Sequence, residues 1–98
     1  MPGPLDGIRV VEVAQEIQGP YASMHLADMG AEIWKVETPK IGDLSRHMKI
    51  QLIAGPGAKH ADFSHYFLAM NRGKKSITLD LKNAEAKQVL WRLVERSD

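Results

Sequence analysis

Apolar and polar positions near the start of the chain predict a strand, a helix and a second strand. Residues 8–13 form a short, mostly β-branched apolar run, which is typical of a strand buried on both faces of a parallel sheet. Pro20 opens a segment with helical spacing, and Gly30 supplies a helix stop. Strand character resumes at residues 32–36. The apolar positions of the predicted helix are Ala22, Leu26 and Met29.

This order of elements is a βαβ unit. Its two strands are expected to pair in parallel through a right-handed crossover. Open α/β sheets bind ligands in a crevice at the carboxyl ends of their strands. The predicted site therefore lies in the loop of residues 15–19 and in the chain that follows Glu37.

The second half of the chain predicts three further elements. Apolar spacing predicts a short helix over residues 63–70, with Asp62 as its N-cap. Alternation at residues 76–81 predicts a third strand. Asn83 is expected to cap a longer helix, whose apolar stripe should pack on the sheet. The stripe comprises Ala86, Val89, Leu90, Leu93 and Val94.

The connection over residues 44–61 shows no sustained period. A stretch of this length without regular structure is expected to serve a function, to be covered by a partner or to be partly disordered. Another strand is expected after Asp98. We therefore interpret residues 1–98 as one segment of an α/β domain, a Rossmann-like open parallel sheet with flanking helices that is incomplete within this chain.

Composition and charge exclude several classes of protein. The 98 residues include 13 basic and 12 acidic side chains, and a net charge of +1 favours neither nucleic acid nor an anionic membrane as partner. The absence of cysteine excludes disulfides and cysteine-bound metal, and it is compatible with a reducing cytoplasm. The sequence contains neither a signal-peptide pattern nor a transmembrane run. We therefore expect a soluble, cytoplasmic chain.

Two features could bind phosphate, and each has a plain structural alternative. The turn at residues 15–19 offers backbone donors at a helix amino terminus, but Gly19 alone does not make a dinucleotide fingerprint, and the turn could simply start the helix. A basic cluster brackets the third strand and could converge on one phosphate pocket, or it could be an ordinary solvated face. Its members are Arg72, Lys74, Lys75 and Lys82.

The histidines do not predict a metal site. His60 and His65, with Asp62 between them, resemble metal ligands only loosely, because their spacing is not that of a helical pair and no third ligand is indicated. We therefore expect no bound metal.

Five phrases of the chain occur in the order known from one enzyme family. Together they resemble the amino-terminal part of the class III CoA-transferases, which include formyl-CoA transferase and carnitine CoA-transferase. The resemblance extends over essentially the whole chain. The phrases lie at residues 4–10, 18–22, 26–37, 42–46 and 71–82.

The resemblance implies a site for coenzyme A. Ile17 and Gln18 would lie against CoA or its acyl group, and the segment after the third strand would contribute to CoA binding. The position of Thr38 is commonly an arginine that contacts the nucleotide part of CoA, so the threonine departs from the family pattern there. The residues of the segment are Leu79, Asp80, Leu81 and Lys82.

The resemblance also implies a mechanism that this segment cannot perform alone. Family members move CoA between an acyl-CoA and a free carboxylic acid through an aspartate nucleophile, and complete members form interlocked homodimers. No aspartate of this chain matches the nucleophile's motif, so we assign no catalytic residue. Two alternatives remain open: a segment of an acyl-CoA racemase with the same fold, and a non-catalytic module for CoA binding or oligomerisation.

Overall fold

The computed structural model describes residues 3–48 and 64–98. Strands and helices alternate along the chain, with a short 3-10 turn at Leu44–His47. Phe63, Asp62, His60 and most of the predicted connection at residues 44–61 lie outside the described residues. The elements are β1 (Arg9–Glu12), α1 (Gln18–Asp28), β2 (Glu32–Glu37), α2 (His65–Met70), β3 (Lys75–Thr78) and α3 (Ala84–Glu95).

The three strands form one parallel sheet in the order β1-β2-β3. Arg9 lies opposite Glu32 at the start of the first pair, and Trp34 lies opposite Lys75 at the start of the second. Parallel pairing requires a crossover between strands, and α1 supplies the one between β1 and β2. The predicted α/β class, an open parallel sheet with flanking helices, is confirmed.

The central strand, not the first, is the most buried. Ile33 and Val36 of β2 belong to the core, whereas Val10 and Val11 of β1 are only half-buried and Arg9 is exposed. The prediction that β1 is buried on both faces is therefore wrong for the described chain. The reason is topological, because β1 lies at one edge of the sheet and β2 has a hydrogen-bonded neighbour on each side.

Helix α1 packs on a different face from the predicted one. Its buried residues are Pro20, Ser23 and Met24, whereas the predicted positions Ala22 and Met29 are exposed. The polar member of this face is accommodated because the Ser23 hydroxyl donates to the Glu12 carboxylate of β1 and lies 3.2 Å from the Pro20 carbonyl oxygen. Hydrogen bonding, rather than apolar periodicity, therefore sets the orientation of this helix.

Gly30 ends α1 as predicted, and it does so with a φ of 105°. A side chain is disfavoured in that region of backbone space. A Cβ at this position would also lie 3.3 Å from the Gly3 Cα, so the amino-terminal segment packs closely over the turn.

Replacing Gly30 with Ala is expected to lower the free energy of unfolding by about 2 kcal/mol, from backbone strain together with this close approach. Gly7→Ala is a matched control, because Gly7 has a φ of 87° but nothing within 4 Å of an added Cβ. Gly7→Ala should lower the free energy of unfolding by only about 1 kcal/mol. Urea unfolding of both variants measures the difference, and equal losses would contradict the contribution of the close approach.

Strand β3 and helix α2 are shorter than their sequence patterns indicate. The predicted strand at residues 76–81 ends at Thr78, because Asp80 accepts hydrogen bonds from the backbone of Lys82 and Asn83 and starts a turn. Helix α2 begins at His65, and its N-cap is Ser64, whose hydroxyl accepts from the Phe67 N–H. The prediction of Asp62 as the cap is therefore wrong.

Helix α3 forms where it is predicted but does not pack as predicted. The Asn83 side chain accepts from the Glu85 N–H at 2.8 Å, which confirms the cap. No residue of α3 is buried among the described residues, and Trp91 is 61% exposed. The prediction that its apolar stripe packs on the sheet is therefore wrong here. The chain returns to the sheet just after this helix, where the Asp98 N–H donates to the Arg9 carbonyl of β1.

None of the helices in the described parts of the chain is both long and apolar enough to cross a membrane.

Candidate functional site

A cleft of about 150 Å³ opens at the carboxyl-terminal edge of the sheet. It lies where β1, β2 and β3 end, which is where an open α/β sheet binds its ligands. Apolar side chains line one part of it, and backbone and polar side chains line the rest. Its lining includes Val13, Gln15, Thr38, Gly42, Leu79 and Leu81.

Three of the residues singled out in the sequence meet in this cleft. Thr38 follows β2, and Leu79 and Leu81 follow β3. Leu79 is buried, and its N–H donates to the Glu37 carbonyl at 3.0 Å, so the pairing with β2 extends one residue past the strand. Strand ends that lie far apart in sequence therefore form one wall.

Four other predicted residues are exposed near the same edge. Ile17 and Gln18 lie at the start of α1, after the loop that contributes Gln15 to the cleft. Asp80 and Lys82 flank Leu81 in the turn after β3.

The remaining predicted cations are engaged elsewhere, so the basic cluster is not gathered in one place. Arg72 forms an exposed ion pair with Asp28 at the end of α1, with 2.7 Å between Nη2 and Oδ2. Lys75 begins β3, and its Nζ lies 3.2 Å from Glu32 and 5.2 Å from the centre of the Trp34 ring.

The side chain of Lys74 is buried, and its Nζ lies 2.8 Å from the Glu12 Oε1. It also donates to the Pro20 carbonyl at the start of α1 and to the Asn71 side chain. Burial lowers the pKa of this ammonium, and the Glu12 carboxylate offsets only part of that effect.

Beneath the cleft lies a buried set of charges that the sequence analysis did not predict. Lys35 of β2 is 1% exposed, and its Nζ lies 2.6 Å from the Glu12 Oε2 and 2.7 Å from the Asp43 Oδ2. The contact with Asp43 has the distance of an ion pair but not the angle of a hydrogen bond. With Lys74, the set has two carboxylates and two ammonium groups, so its formal charges balance. We call these four residues, Glu12, Lys35, Asp43 and Lys74, the buried charge network.

Both carboxyl groups of the network have lowered pKa values. Burial raises the pKa of Glu12, but hydrogen bonds from Lys35, Lys74 and Ser23 outweigh it. Burial likewise raises the pKa of Asp43, and it is outweighed by Lys35, by the backbone N–H groups of Ser45 and Glu16, and by the Ser45 hydroxyl. Both groups are therefore ionised at neutral pH and committed to partners, so neither has the features of a free nucleophile.

The network also holds the loop between β1 and α1. The Asp43 Oδ1 accepts from the Glu16 N–H at 3.0 Å, and the Lys35 Nζ donates to the Ala14 carbonyl at 3.1 Å. Glu16 has a φ of 68°, which is unusual for a residue with a side chain.

A second polar cluster lies on the other side of Asp43. The guanidinium of Arg46 donates to both oxygens of Glu37, at 2.7 and 2.8 Å, and lies 3.7 Å from the centre of the Phe67 ring. Glu37 also accepts from the Ser76 hydroxyl and from the Asp43 N–H. Burial raises the pKa of Glu37, but these donors outweigh it and hold it at about 2.

A charged residue inside an apolar strand pattern was the available signal for both clusters. Glu12 and Lys35 interrupt apolar runs and Glu37 ends one, and charged side chains are rarely buried unless they are paired. Within the described residues, no group of three or more potential ligands is arranged to hold a metal ion. His60 and Asp62, two of the candidate ligands, lie outside those residues.

The sequence matches the family model of CoA-transferase family III over residues 5–98. It is 43% identical over 95 residues to the probable fatty acyl-CoA transferase Rv3272 of Mycobacterium tuberculosis, and 42% identical over 95 residues to the succinate–glutarate CoA-transferase of Agrobacterium fabrum. Each alignment covers 97% of this chain, but only 23% and 24% of those relatives.

Solved structures give the same result. A crystal structure of a CAIB/BAIF family protein from Brucella suis superposes with a TM-score of 0.86 at 40% identity, over 100% of this chain and 25% of that one. The orthorhombic form of Rv3272 superposes with a TM-score of 0.84 at 43% identity, over 98% of this chain and 25% of that one. The chain thus spans about a quarter of the length of these relatives. On sequence and on fold, this chain belongs to CoA-transferase family III.

Proposed function

We propose that this chain is the CoA-binding amino-terminal portion of an enzyme that moves CoA between an acyl-CoA and a free carboxylic acid. The cleft at the carboxyl ends of the three strands is the observation that carries the proposal. Family membership supplies the reaction class, since relatives are named as succinate–glutarate and succinyl-CoA:mesaconate CoA-transferases. The aspartate nucleophile implied by the resemblance is not assigned to any residue of this chain.

The composition of the cleft suits the nucleotide end of CoA. Val13, Leu79 and Leu81 offer apolar surface for a flat base, and ligand sites commonly combine such walls with a few polar groups. Thr38 supplies a hydroxyl at the rim where family members commonly have an arginine. Lys82, exposed beside Leu81, is then the cation that we propose to contact the phosphates of CoA.

We also propose an orientation of CoA in the cleft, an oligomeric state and a cellular location. Ile17 and Gln18 would face the thioester end of CoA, because they follow the loop that lines the cleft. Assembly into an interlocked homodimer and a cytoplasmic location belong to the same proposal, and they rest on the family resemblance and on the absence of cysteine.

Calorimetric titration with CoA tests the site with two matched lysine variants. Lys82→Ala is expected to weaken CoA binding about fivefold, because one exposed ion pair to phosphate contributes about 1 kcal/mol. Lys75→Ala removes the same charge from the amino-terminal end of β3, where Nζ contacts Glu32, and it should leave the affinity unchanged. The effect of Lys82→Ala should also shrink as salt is added.

Two results would contradict the proposed site. Equal affinities of the Lys82 and Lys75 variants would remove Lys82 from it. A folded wild-type chain that fails to bind CoA saturably would show that these residues do not form the CoA site on their own.

A further inference from the structure

The loop between β1 and α1 has an unfavourable backbone conformation that is held from outside. Glu16 has a φ of 68°, and Ile17, at the N-cap position of α1, makes no capping hydrogen bond through its side chain. Glutamate is disfavoured in the left-handed region, and an apolar N-cap leaves helix N–H groups without the usual acceptor. The loop therefore needs contacts beyond its own residues to keep this shape.

Those contacts come from two buried side chains. The Asp43 Oδ1 accepts from the Glu16 N–H at 3.0 Å, and the Lys35 Nζ donates to the Ala14 carbonyl at 3.1 Å. Both side chains are 1% exposed or less, and they lie 2.7 Å apart as an ion pair. The two anchoring points of the loop therefore belong to one rigid unit.

Asp43 is itself fixed by the chain on the opposite side of the cleft. Its Oδ1 also accepts from the Ser45 N–H at 2.8 Å and from the Ser45 hydroxyl at 2.7 Å, and its own N–H donates to the Glu37 carboxylate at 2.8 Å. Gly42 and Asp43 line the cleft together with Gln15. One carboxylate thus joins the two loops that border the proposed ligand.

We infer that Asp43 is a positioning residue for CoA binding, which holds the β1–α1 loop in its left-handed shape through the Glu16 N–H. This inference rests on the proposed function, because it takes the loop to be the part of the cleft that contacts CoA. Asp43 does not touch the ligand in this scheme. Its two oxygens have different contacts. Oδ1 accepts the hydrogen bonds that hold the loops, and Oδ2 forms the ion pair with the Lys35 ammonium.

Substitutions of Asp43 can distinguish the hydrogen bonds of Oδ1 from the ion pair of Oδ2. Asp43→Asn keeps an oxygen that accepts from Glu16 and Ser45, but it loses the charge that faces Lys35. Asp43→Ala loses both. Ser64→Ala is the control for a general loss of stability, because it removes the N-cap of α2 and a hydrogen bond to the Met48 carbonyl, and Ser64 makes no hydrogen bond to the β1–α1 loop or to the buried charge network.

Amide hydrogen exchange of the ligand-free protein tests the positioning without any assumption about function. In Asp43→Ala, exchange of the Glu16 N–H should rise about tenfold more than exchange of the β2 amides, and in Asp43→Asn about threefold or less. In Ser64→Ala the two sites should change in parallel. Parallel changes in Asp43→Ala would overturn the inference, because the carboxylate would then stabilise the whole fold without a specific effect on the loop.

Affinity for CoA tests the consequence for binding. Asp43→Ala should bind CoA about tenfold more weakly than wild type, with Asp43→Asn restoring most of the loss and Ser64→Ala leaving affinity unchanged. Unchanged affinity in Asp43→Ala, with a mobile Glu16 amide, would overturn the role of the loop in binding. A wild-type protein that binds no CoA would refute the proposed function instead, and the exchange result would still decide whether Asp43 holds the loop.

Glu16→Pro provides a second route if Asp43→Ala does not fold. It leaves the Asp43 side chain and its ion pair with Lys35 in place, but it removes the N–H that Asp43 accepts and excludes a positive φ at this position. The expected result is weaker CoA binding by about threefold. Unchanged affinity would again count against the inference.

Discussion

Replacing Lys35 with Met is expected to lower the free energy of unfolding by about 3 to 5 kcal/mol, because it leaves buried carboxylates without their shared cation. Lys35 is 1% exposed and lies between Glu12 and Asp43. Glu12 would keep Lys74, whereas Asp43 would keep no ion-pair partner within the described parts of the chain. Methionine has a similar length, so loss of charge rather than loss of volume dominates the effect.

Lys75→Met is the matched control for this result. Lys75 lies on the neighbouring strand, but it is exposed and pairs only with Glu32 among the described residues. Its loss should cost at most about 0.5 kcal/mol. The double variant Lys35→Met/Asp43→Asn should recover part of the loss, because it restores charge balance with Glu12 and Lys74. Guanidinium unfolding measures all three variants, and a loss below about 1 kcal/mol in Lys35→Met would contradict the buried charge network.

The elements of the fold could be predicted because their signals are local. Gly30 ends α1 through a backbone conformation that favours glycine, and Asn83 caps α3 with its own side chain. Parallel pairing of β1 and β2 followed from the helix between them. Each inference required only neighbouring residues, so one sequence was sufficient.

Burial could not be predicted in the same way, because it depends on strand order and on distant partners. The apolar run at residues 8–13 is at least as apolar as β2, but only β2 has a neighbour on each side. Ser23 faces the sheet because Glu12 accepts its hydrogen bond, and no periodicity rule contains that information. The apolar stripe of α3, none of which is fully buried, likewise shows that an amphipathic pattern predicts a helix without identifying what covers it.

The position of the candidate site could be predicted from the sequence, but the arrangement of its charged residues could not. Thr38, Leu79 and Leu81 meet because strand ends converge at one edge of a parallel sheet. The same rule explains why the cations around β3 do not lie together. Lys75 is the first residue of this four-residue strand, whereas Lys82 follows the strand. Four residues of strand span about 13 Å, so these two lysines lie near opposite ends of β3 although they are close in sequence.

Acid is expected to destabilise this fold strongly between about pH 4.5 and pH 2, with Glu37 as a main contributor. The pKa of Glu37 is lowered from an ordinary 4.5 to about 2, through Arg46, Ser76 and the Asp43 N–H acting against burial. A lowered pKa means that the unfolded chain binds the proton first. The stabilisation is therefore complete above pH 4.5 and is lost as the pH falls towards 2.

The shift corresponds to about 3 kcal/mol, which solvent screening at the partly exposed Arg46 reduces to about 2 kcal/mol. Glu37→Gln should flatten this part of the pH profile, because the amide does not titrate. Glu32→Gln is the matched control on the same strand. The pKa of Glu32 is also lowered, chiefly by the hydrogen bond from the Trp34 indole N–H, but its carboxylate is partly exposed, so the profile should keep most of its slope. The residual slope in Glu37→Gln comes from the other carboxyl groups with lowered pKa values, which include the buried Glu12 and Asp43 and the more exposed Asp28 and Glu32. Urea unfolding at several pH values measures the profile, and an unchanged slope in Glu37→Gln would show that Arg46 and Ser76 do not hold this carboxylate in solution.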